Sequence, residues 1–238
     1  MTPMHSTVLF DLDGTLVDTA PDFYRVVNLL LAEEARPPVS FERLRSHVSN
    51  GARAMVGAAF NLEEGDPDFT RLHQRMLDLY LDNIAVDSQL FAGLAECLHW
   101  LQTQQVPWGI VTNKPERYTT PLLNQLGLDQ TAGTVICPDH VTERKPHPEA
   151  LYKACEEVGC TPANSIYVGD HARDIEAGKR AGMRTIAAAY GYLNTGENAA
   201  DWQADYLIEQ PMQLLPLLDS LYKLSLIHIS EPTRPLYI

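Results

Sequence analysis

Two acidic residues, Asp11 and Asp13, stand two positions apart directly after the apolar segment 8–10, and Gly14 follows them. A short apolar run closed by a glycine is typical of a buried strand that ends in a turn. Because side chains alternate along a strand, both carboxylates would lie on the same face. Neighbouring carboxylates repel each other and lose hydration when buried. The pair therefore predicts a bound cation, and oxygen ligands favour Mg2+.

Further polar residues follow other apolar segments. Thr112 and Asn113 come directly after residues 107–111, and Asp170 comes soon after residues 165–168. From residue 89 onward, strand-like segments alternate with segments of helical periodicity. This alternation predicts an α/β fold, a doubly wound parallel sheet with helices on both faces. Ligands of such sheets bind at the carboxyl ends of the strands, where these polar residues fall.

The boundaries of the expected elements follow from the same patterns. We expect strands at 7–10, 107–111, 134–137, 165–168, 185–188 and 205–208. One helix is expected to start near Thr120, where a threonine and a proline form a good cap, and to end at Gly127. The other helices are expected at 91–104, 148–158, 173–181 and 214–221.

An all-helical cap domain is expected at residues 18–88, because apolar residues recur there at helical spacing and no convincing strand is present. The core would then comprise residues 1–17 and 89–220. The segment 221–238 shows no clean period from residue 223 and contains two prolines. We expect this tail not to belong to the native protein, and a genuine docking tail is the alternative.

Composition narrows the classes of protein. The chain has 238 residues, a formal charge of −13 and a sequence pI near 4.9, which argues against binding to nucleic acid. No apolar run approaches a membrane span, and no signal peptide is evident at the amino terminus. The four cysteines are scattered, so zinc is not expected. We expect a cytoplasmic protein that is a monomer or a homodimer and has no membrane or nucleic-acid partner.

Four motifs, in this order, resemble those of the haloacid dehalogenase superfamily. A single one would be weak, but four at strand ends or nearby loops are specific. The resemblance covers residues 7–220 and implies a phosphatase with a helical cap inserted after the first strand. The motifs are Asp11-Leu12-Asp13-Gly14-Thr15, Val111-Thr112-Asn113, Arg144-Lys145-Pro146, and Gly169-Asp170 with Asp174 four residues on.

The resemblance implies catalytic roles for matching residues. Asp11 would be the nucleophile that forms an aspartyl-phosphate, and Asp13 the general acid and base. Lys145 would supply positive charge beside the carboxylates. Thr112 would offer its hydroxyl to phosphoryl oxygens, although ordinary capping of the strand end is an alternative.

The resemblance also implies a Mg2+ site. Its ligands would be Asp11, the backbone carbonyl of Asp13, and Asp170. Asp174 would support the water shell of the metal or orient Lys145, and its alternative role is a favourable charge at a helix amino terminus. His171 is expected to be a loop residue and not a ligand.

The substrate would be a small phosphorylated metabolite. Asn113, Gly14, Arg53 and Lys114 are the candidate substrate-binding residues, and Arg53 could bind a carboxylate, although a solvated helix-cap arginine is as plausible. Several segments resemble family members that act on N-acetylmuramic acid 6-phosphate in peptidoglycan recycling. Phosphoglycolate is the alternative substrate, and a sugar phosphomutase is the alternative of another class.

Overall fold

The computed structural model describes residues 7–230, with side chains described for residues 7–223. Its centre is a parallel sheet of six strands in the spatial order β5-β4-β1-β6-β7-β8. This order confirms the predicted doubly wound fold class. The six strands are β1 Thr7–Phe10, β4 Trp108–Val111, β5 Val135–Ile136, β6 Ser165–Gly169, β7 Arg184–Ala188 and β8 Tyr206–Ile208.

Helices cover both faces of the sheet because the central strands are apolar on both sides. On one face, Phe10 and Ile110 pack with helices α5, α6 and α9. On the other face, Leu9 and Tyr167 pack with helices α7 and α8. These five helices are α5 Leu94–Thr103, α6 Glu116–Leu126, α7 Glu149–Val158, α8 Ala172–Ala181 and α9 Leu214–Ser230.

Three predicted helix boundaries are wrong. Helix α5 begins at Leu94 instead of residue 91, because Gly93 before it adopts a left-handed conformation with a φ of 83°. Helix α6 begins at Glu116, four residues before Thr120, because the carbonyl of Pro115 already accepts hydrogen bonds from the amides of Tyr118 and Thr119. Pro121 consequently lies inside the helix instead of at its first turn. Helix α9 continues to Ser230 instead of ending at residue 221.

Four further helices are inserted between the first strand and α5, as the predicted fold class requires. They are α1 Ala20–Glu33, α2 Phe41–Arg45, α3 Gly51–Phe60 and α4 Phe69–Asp82. An antiparallel pair joins the insertion to the core, β2 Val17–Asp18 with β3 Gln89–Leu90. The sequence did not predict this pair, since two residues are too few to show a period. The division into domains stays a prediction.

A buried carboxylate fixes the segment by which the chain returns from the insertion. Asp22 of α1 accepts hydrogen bonds from the amides of Ala85 and Asp87, at 2.8 and 2.7 Å, and from the Ser88 hydroxyl. The start and the end of the insertion are thereby tied together. Among the described residues, the helices are too short or too polar to cross a bilayer.

Candidate active site

Three acidic residues from distant parts of the chain meet at the carboxyl edge of the sheet. Asp11 follows β1, Asp170 follows the neighbouring strand β6, and Asp174 lies in the first turn of α8. One carboxylate oxygen of each lies within 4.8 Å of the other two. The topology produces this meeting because adjacent parallel strands end at the same edge.

Lys145 lies against this group as its buried counter-charge. Its ammonium is 2.9 Å from Asp11 Oδ1 and 2.8 Å from Asp174 Oδ1, and its side chain is 1% exposed. It also donates to the carbonyl of Val111 at 2.9 Å and contacts the Tyr167 hydroxyl at 2.8 Å. Burial opposes the charge on Lys145, but the two carboxylates together outweigh it and raise its pKa. Lys145 is therefore a fixed positive charge, and Asp174 is one of its two carboxylate partners.

The carboxyl groups themselves are in an unfavourable electrostatic environment. Burial raises the pKa of Asp11 to about 6, and burial together with the charges of Asp11 and Asp174 raises the pKa of Asp170 to about 7. One lysine cannot balance three buried carboxylates. A further cation bound by oxygen ligands would relieve this excess of negative charge, so the donor set suits Mg2+.

Asp170 is held by donors from three segments. It accepts hydrogen bonds from the Thr15 hydroxyl at 3.1 Å, the amide of Tyr192 at 2.9 Å and the Ser49 hydroxyl at 3.3 Å. Gly14 leaves room for it, since a Cβ at this position would lie 2.1 Å from Asp170 Oδ2. The requirement for glycine here comes from this packing, and the approach of Gly14 to a phosphate stays a prediction.

Asp13 occupies a separate environment beside the three acids. Its Oδ1 accepts hydrogen bonds from the Thr19 hydroxyl at 2.6 Å and from the Lys114 ammonium at 2.9 Å. Thr112 Oγ1 accepts from the amide of Lys114, and Asn113 Nδ2 donates to the carbonyl of Lys145, both at 3.1 Å. Thr112 and Asn113, which follow β4, thus form hydrogen bonds with the backbone of the two lysines of the site.

His171 has a local structural role. Its Nδ1 accepts a hydrogen bond from the amide of Arg173, and Asp174 accepts one from the amide of His171, so the two form a capping box at the start of α8. Burial and the charge of Arg173 lower the pKa of His171. The lowered pKa favours the neutral imidazole, and only the neutral ring has a nitrogen that can accept the hydrogen bond from the amide of Arg173. His171 is therefore a helix cap, a more specific role than that of a loop residue.

A cavity of about 870 Å³ lies between the helical insertion and the carboxyl edge of the sheet. Asp11, Asp13, Thr112, Asn113 and Lys114 lie on its core side. Apolar residues of the insertion line the opposite side: Phe23, Val48, Leu62, Phe69, Leu77 and Tyr80.

Three arginines also line this cavity. Arg53 Nη1 lies 3.0 Å from Glu64 Oε2 at the rim, where both side chains are more than half exposed. Arg144 and Arg173 were not named as site residues, although Arg144 belongs to the third motif and Arg173 directly precedes Asp174. Ser49 and Tyr80 were missed as well, because only the packing of the insertion on the core brings them to the site.

The fold and these charged groups define a hydrolase with an α/β core, a helical insertion and an acidic site between them. A sequence model described as haloacid dehalogenase-like hydrolase matches residues 8–188. The chain therefore belongs to the haloacid dehalogenase-like hydrolase family, which confirms the predicted resemblance.

Individual relatives are similar over nearly the whole chain. The N-acetylmuramic acid 6-phosphate phosphatase of Pseudomonas aeruginosa is 44% identical, over 89% of this chain and 94% of the relative. A phosphoglycolate phosphatase of Xanthomonas campestris is 41% identical, over 87% and 93%. A crystal structure of a predicted phosphoglycolate phosphatase from Haemophilus somnus superposes with a TM-score of 0.79 at 27% identity, covering 90% of this chain and 98% of that one. With such relatives, the enzyme class of the chain is phosphatase.

Proposed function

We propose that this protein is a cytoplasmic, Mg2+-dependent phosphomonoesterase that forms an aspartyl-phosphate on Asp11 and acts on N-acetylmuramic acid 6-phosphate. The observation that carries the proposal is the convergence of Asp170, Asp174 and Lys145 on Asp11, which lines the same cavity as Asp13. This arrangement collects a nucleophile, a cation site and a second carboxyl group within reach of one ligand.

The metal would be held by Asp11, Asp170 and the backbone carbonyl of Asp13. When bound, Mg2+ neutralises phosphoryl oxygens and makes the phosphorus more electrophilic. Asp174 stays engaged with Lys145 at 2.8 Å, so its task is to hold that ammonium beside the nucleophile. Burial raises the pKa of Asp11, and the direct contact with Lys145 opposes this rise, which favours the ionised nucleophile.

The chemistry then takes two steps at the same phosphorus. An oxygen of Asp11 forms a bond to phosphorus while the bond to the alkoxy oxygen of the substrate breaks, and Asp13 gives this oxygen a proton. In the second step Asp13 takes a proton from water, whose oxygen displaces Asp11 and releases phosphate. Thr112 would donate a hydrogen bond to a phosphoryl oxygen during both steps, and Lys145 would supply positive charge beside Asp11.

The dimensions of the cavity support a sugar phosphate over a two-carbon acid. Its volume of about 870 Å³ lies towards the upper end of the range of small-molecule sites. Phosphoglycolate would leave most of this space filled with water, whereas an acylated amino sugar would reach the apolar wall near Phe69. The lactyl carboxylate of N-acetylmuramic acid 6-phosphate would then meet Arg53, which can exchange its exposed partner Glu64 for it.

A comparison of three substrates tests this proposal. N-acetylglucosamine 6-phosphate lacks only the lactyl ether of the proposed substrate and serves as the matched control, and phosphoglycolate is the third compound. We expect the highest kcat/KM for N-acetylmuramic acid 6-phosphate, strict dependence on Mg2+, and release of free phosphate with no isomeric sugar phosphate. Faster turnover of phosphoglycolate would overturn the substrate assignment, and an isomerised sugar phosphate would show a mutase.

A further inference from the structure

Lys114 bridges the core and the helical insertion beside the three acids. Its ammonium lies 2.9 Å from Asp13 Oδ1 and 2.7 Å from the hydroxyl of Tyr80. Its side chain is 6% exposed. Tyr80 belongs to α4 of the insertion, whereas Lys114 follows β4 of the core. The lysine therefore joins the proposed proton-transfer residue to a helix on the other side of the cavity.

An aromatic slot in the insertion fixes the position of this ammonium. Its nitrogen is 4.8 Å from the ring centre of Phe23 and 4.6 Å from that of Tyr80. The two rings are stacked with their centres 4.2 Å apart. Two stacked rings cannot both present a face to one ammonium, so the contact with Tyr80 is the hydrogen bond to its hydroxyl, and Phe23 packs beside the charge. Together they favour one location for the charge of Lys114 when α1 and α4 are packed against the core.

The backbone of Lys114 is restrained from the core side. Its amide donates to Thr112 Oγ1 at 3.1 Å, and its carbonyl accepts from Thr119 Oγ1 at 3.1 Å. Both ends of the side chain are therefore defined, one by the core and one by the insertion. A residue held in this way can keep the core and the insertion in a fixed relation at this point.

Asp13 is held through one of its two oxygens. The hydroxyl of Thr19 and the ammonium of Lys114 both bind Oδ1. With Oδ1 anchored twice, the carboxyl plane is set and Oδ2 is the oxygen for proton transfer.

We propose that Lys114 is a positioning residue that orients Asp13, and that the insertion places it through Tyr80 and Phe23. The inference rests on the proposed function, in which Asp13 moves protons. It differs from the expectation that Lys114 binds substrate, because an ammonium already engaged by Asp13 and Tyr80 would have to leave both partners to reach a substrate anion. The two roles predict different kinetic effects.

The first test separates kcat from KM on N-acetylmuramic acid 6-phosphate. We expect Lys114→Met to lower kcat by about tenfold or more with KM changed by less than about threefold, and Lys114→Arg to recover part of the loss. Tyr80→Phe should lower kcat by about threefold or more. Lys153→Met and Tyr24→Phe are matched controls, since neither residue lines the cavity, and both should keep wild-type kinetics. A raised KM with unchanged kcat would show instead that Lys114 binds substrate.

The second test uses the leaving group. p-Nitrophenolate leaves with little help from an acid, so the first-turnover burst with p-nitrophenyl phosphate should be nearly insensitive to Asp13→Asn and to Lys114→Met alike. Equal loss on the aryl phosphate and on the sugar phosphate would overturn the positioning role. Tyr80→Phe removes a single oxygen and keeps both tests available if Lys114→Met does not fold. An inactive wild-type enzyme would refute the proposed function itself, whereas active enzyme with unaffected variants would refute only this inference.

Discussion

At the scale of single residues, the site contains buried carboxyl groups whose negative charge lowers the stability of the fold. The pKa of Asp170 rises from 3.8 to about 7 in the folded protein, chiefly through burial and then through Asp11 and Asp174. The folded state therefore binds more protons than the unfolded state between these two pH values. This group costs stability as pH rises through that window, and the full cost is present above about pH 7.

Replacing this carboxyl should consequently stabilise the protein when metal is absent. In EDTA at pH 8, we expect the free energy of unfolding of Asp170→Asn to exceed that of wild type by on the order of 2 kcal/mol. This difference should shrink towards pH 4. Thermal unfolding across this pH range measures it. Mg2+ should raise the Tm of wild type and have a smaller effect on the variant, which should also lose activity. A variant that is less stable than wild type at every pH would contradict this account.

The proposed contact between Arg53 and the substrate carboxylate predicts how a variant of Arg53 will change KM. We expect Arg53→Ala to raise KM about tenfold for N-acetylmuramic acid 6-phosphate and less than about twofold for N-acetylglucosamine 6-phosphate, because only the former has a carboxylate to lose. Arg75→Ala is the matched control, since Arg75 also forms an exposed pair with a glutamate of the insertion, Glu33. Equal effects on both sugars would return Arg53 to the role of a solvated helix residue.

Sequence reasoning was informative for residues that lie next to a strand end in the chain. Asp11, Asp170 and Lys145 were named together because their motifs have a recognisable order. The structure places Lys145 in contact with Asp11, and it places a carboxylate oxygen of Asp170 within 4.8 Å of one of Asp11. Tyr80 was covered only by the prediction of a helical cap at residues 18–88. Its contact with Lys114 depends on how α4 packs over the core, and no local pattern encodes that packing.

At the scale of elements, the insertion depends on its two short connections to the core. Buried Asp22 accepts three hydrogen bonds from the returning segment 85–88. We expect Asp22→Ala to lower the free energy of unfolding by about 2–4 kcal/mol, because two partly buried amides and the buried Ser88 hydroxyl would lose their acceptor. Urea unfolding measures this change.

The matched control lies in the same segment. Asp87→Ala removes only an exposed ion pair with Arg25, in which both side chains are 43% exposed, and should cost less than about 1 kcal/mol. Equal losses in the two variants would show that the buried carboxylate does not hold the connection.

The elements differ in how well their sequences predict them. Strands β1 and β6 were predicted within one residue because each is a dense apolar run that ends in glycine or aspartate. The start of α6 was misplaced because Thr120 and Pro121 form a cap signal that the earlier proline, Pro115, overrides. Cap propensity is a weak preference, and backbone hydrogen bonds to Pro115 decide the boundary.

At the scale of the whole molecule, the described side chains of the tail, at residues 221–223, do not line the cavity. The prediction that residues 221–238 are not native stays a prediction. The side chains after residue 223 lie outside the described part of the chain. We expect a chain that ends at Lys223 to keep wild-type kcat/KM and a Tm within about 2 °C, since it retains Leu214, Leu218 and Leu221, which pack α9 into the core. A clear loss of stability or activity would favour a genuine docking tail.

The central claim is that acids brought together from distant parts of the fold accept a phosphoryl group on Asp11. Acid-quenching the enzyme during turnover, reducing it with borohydride and sequencing its peptides by mass spectrometry tests this claim directly. Borohydride converts an aspartyl-phosphate, but not a free aspartate, to homoserine. We expect conversion at position 11 that requires both substrate and Mg2+. Turnover without any conversion, or with conversion at another aspartate, would contradict the mechanism.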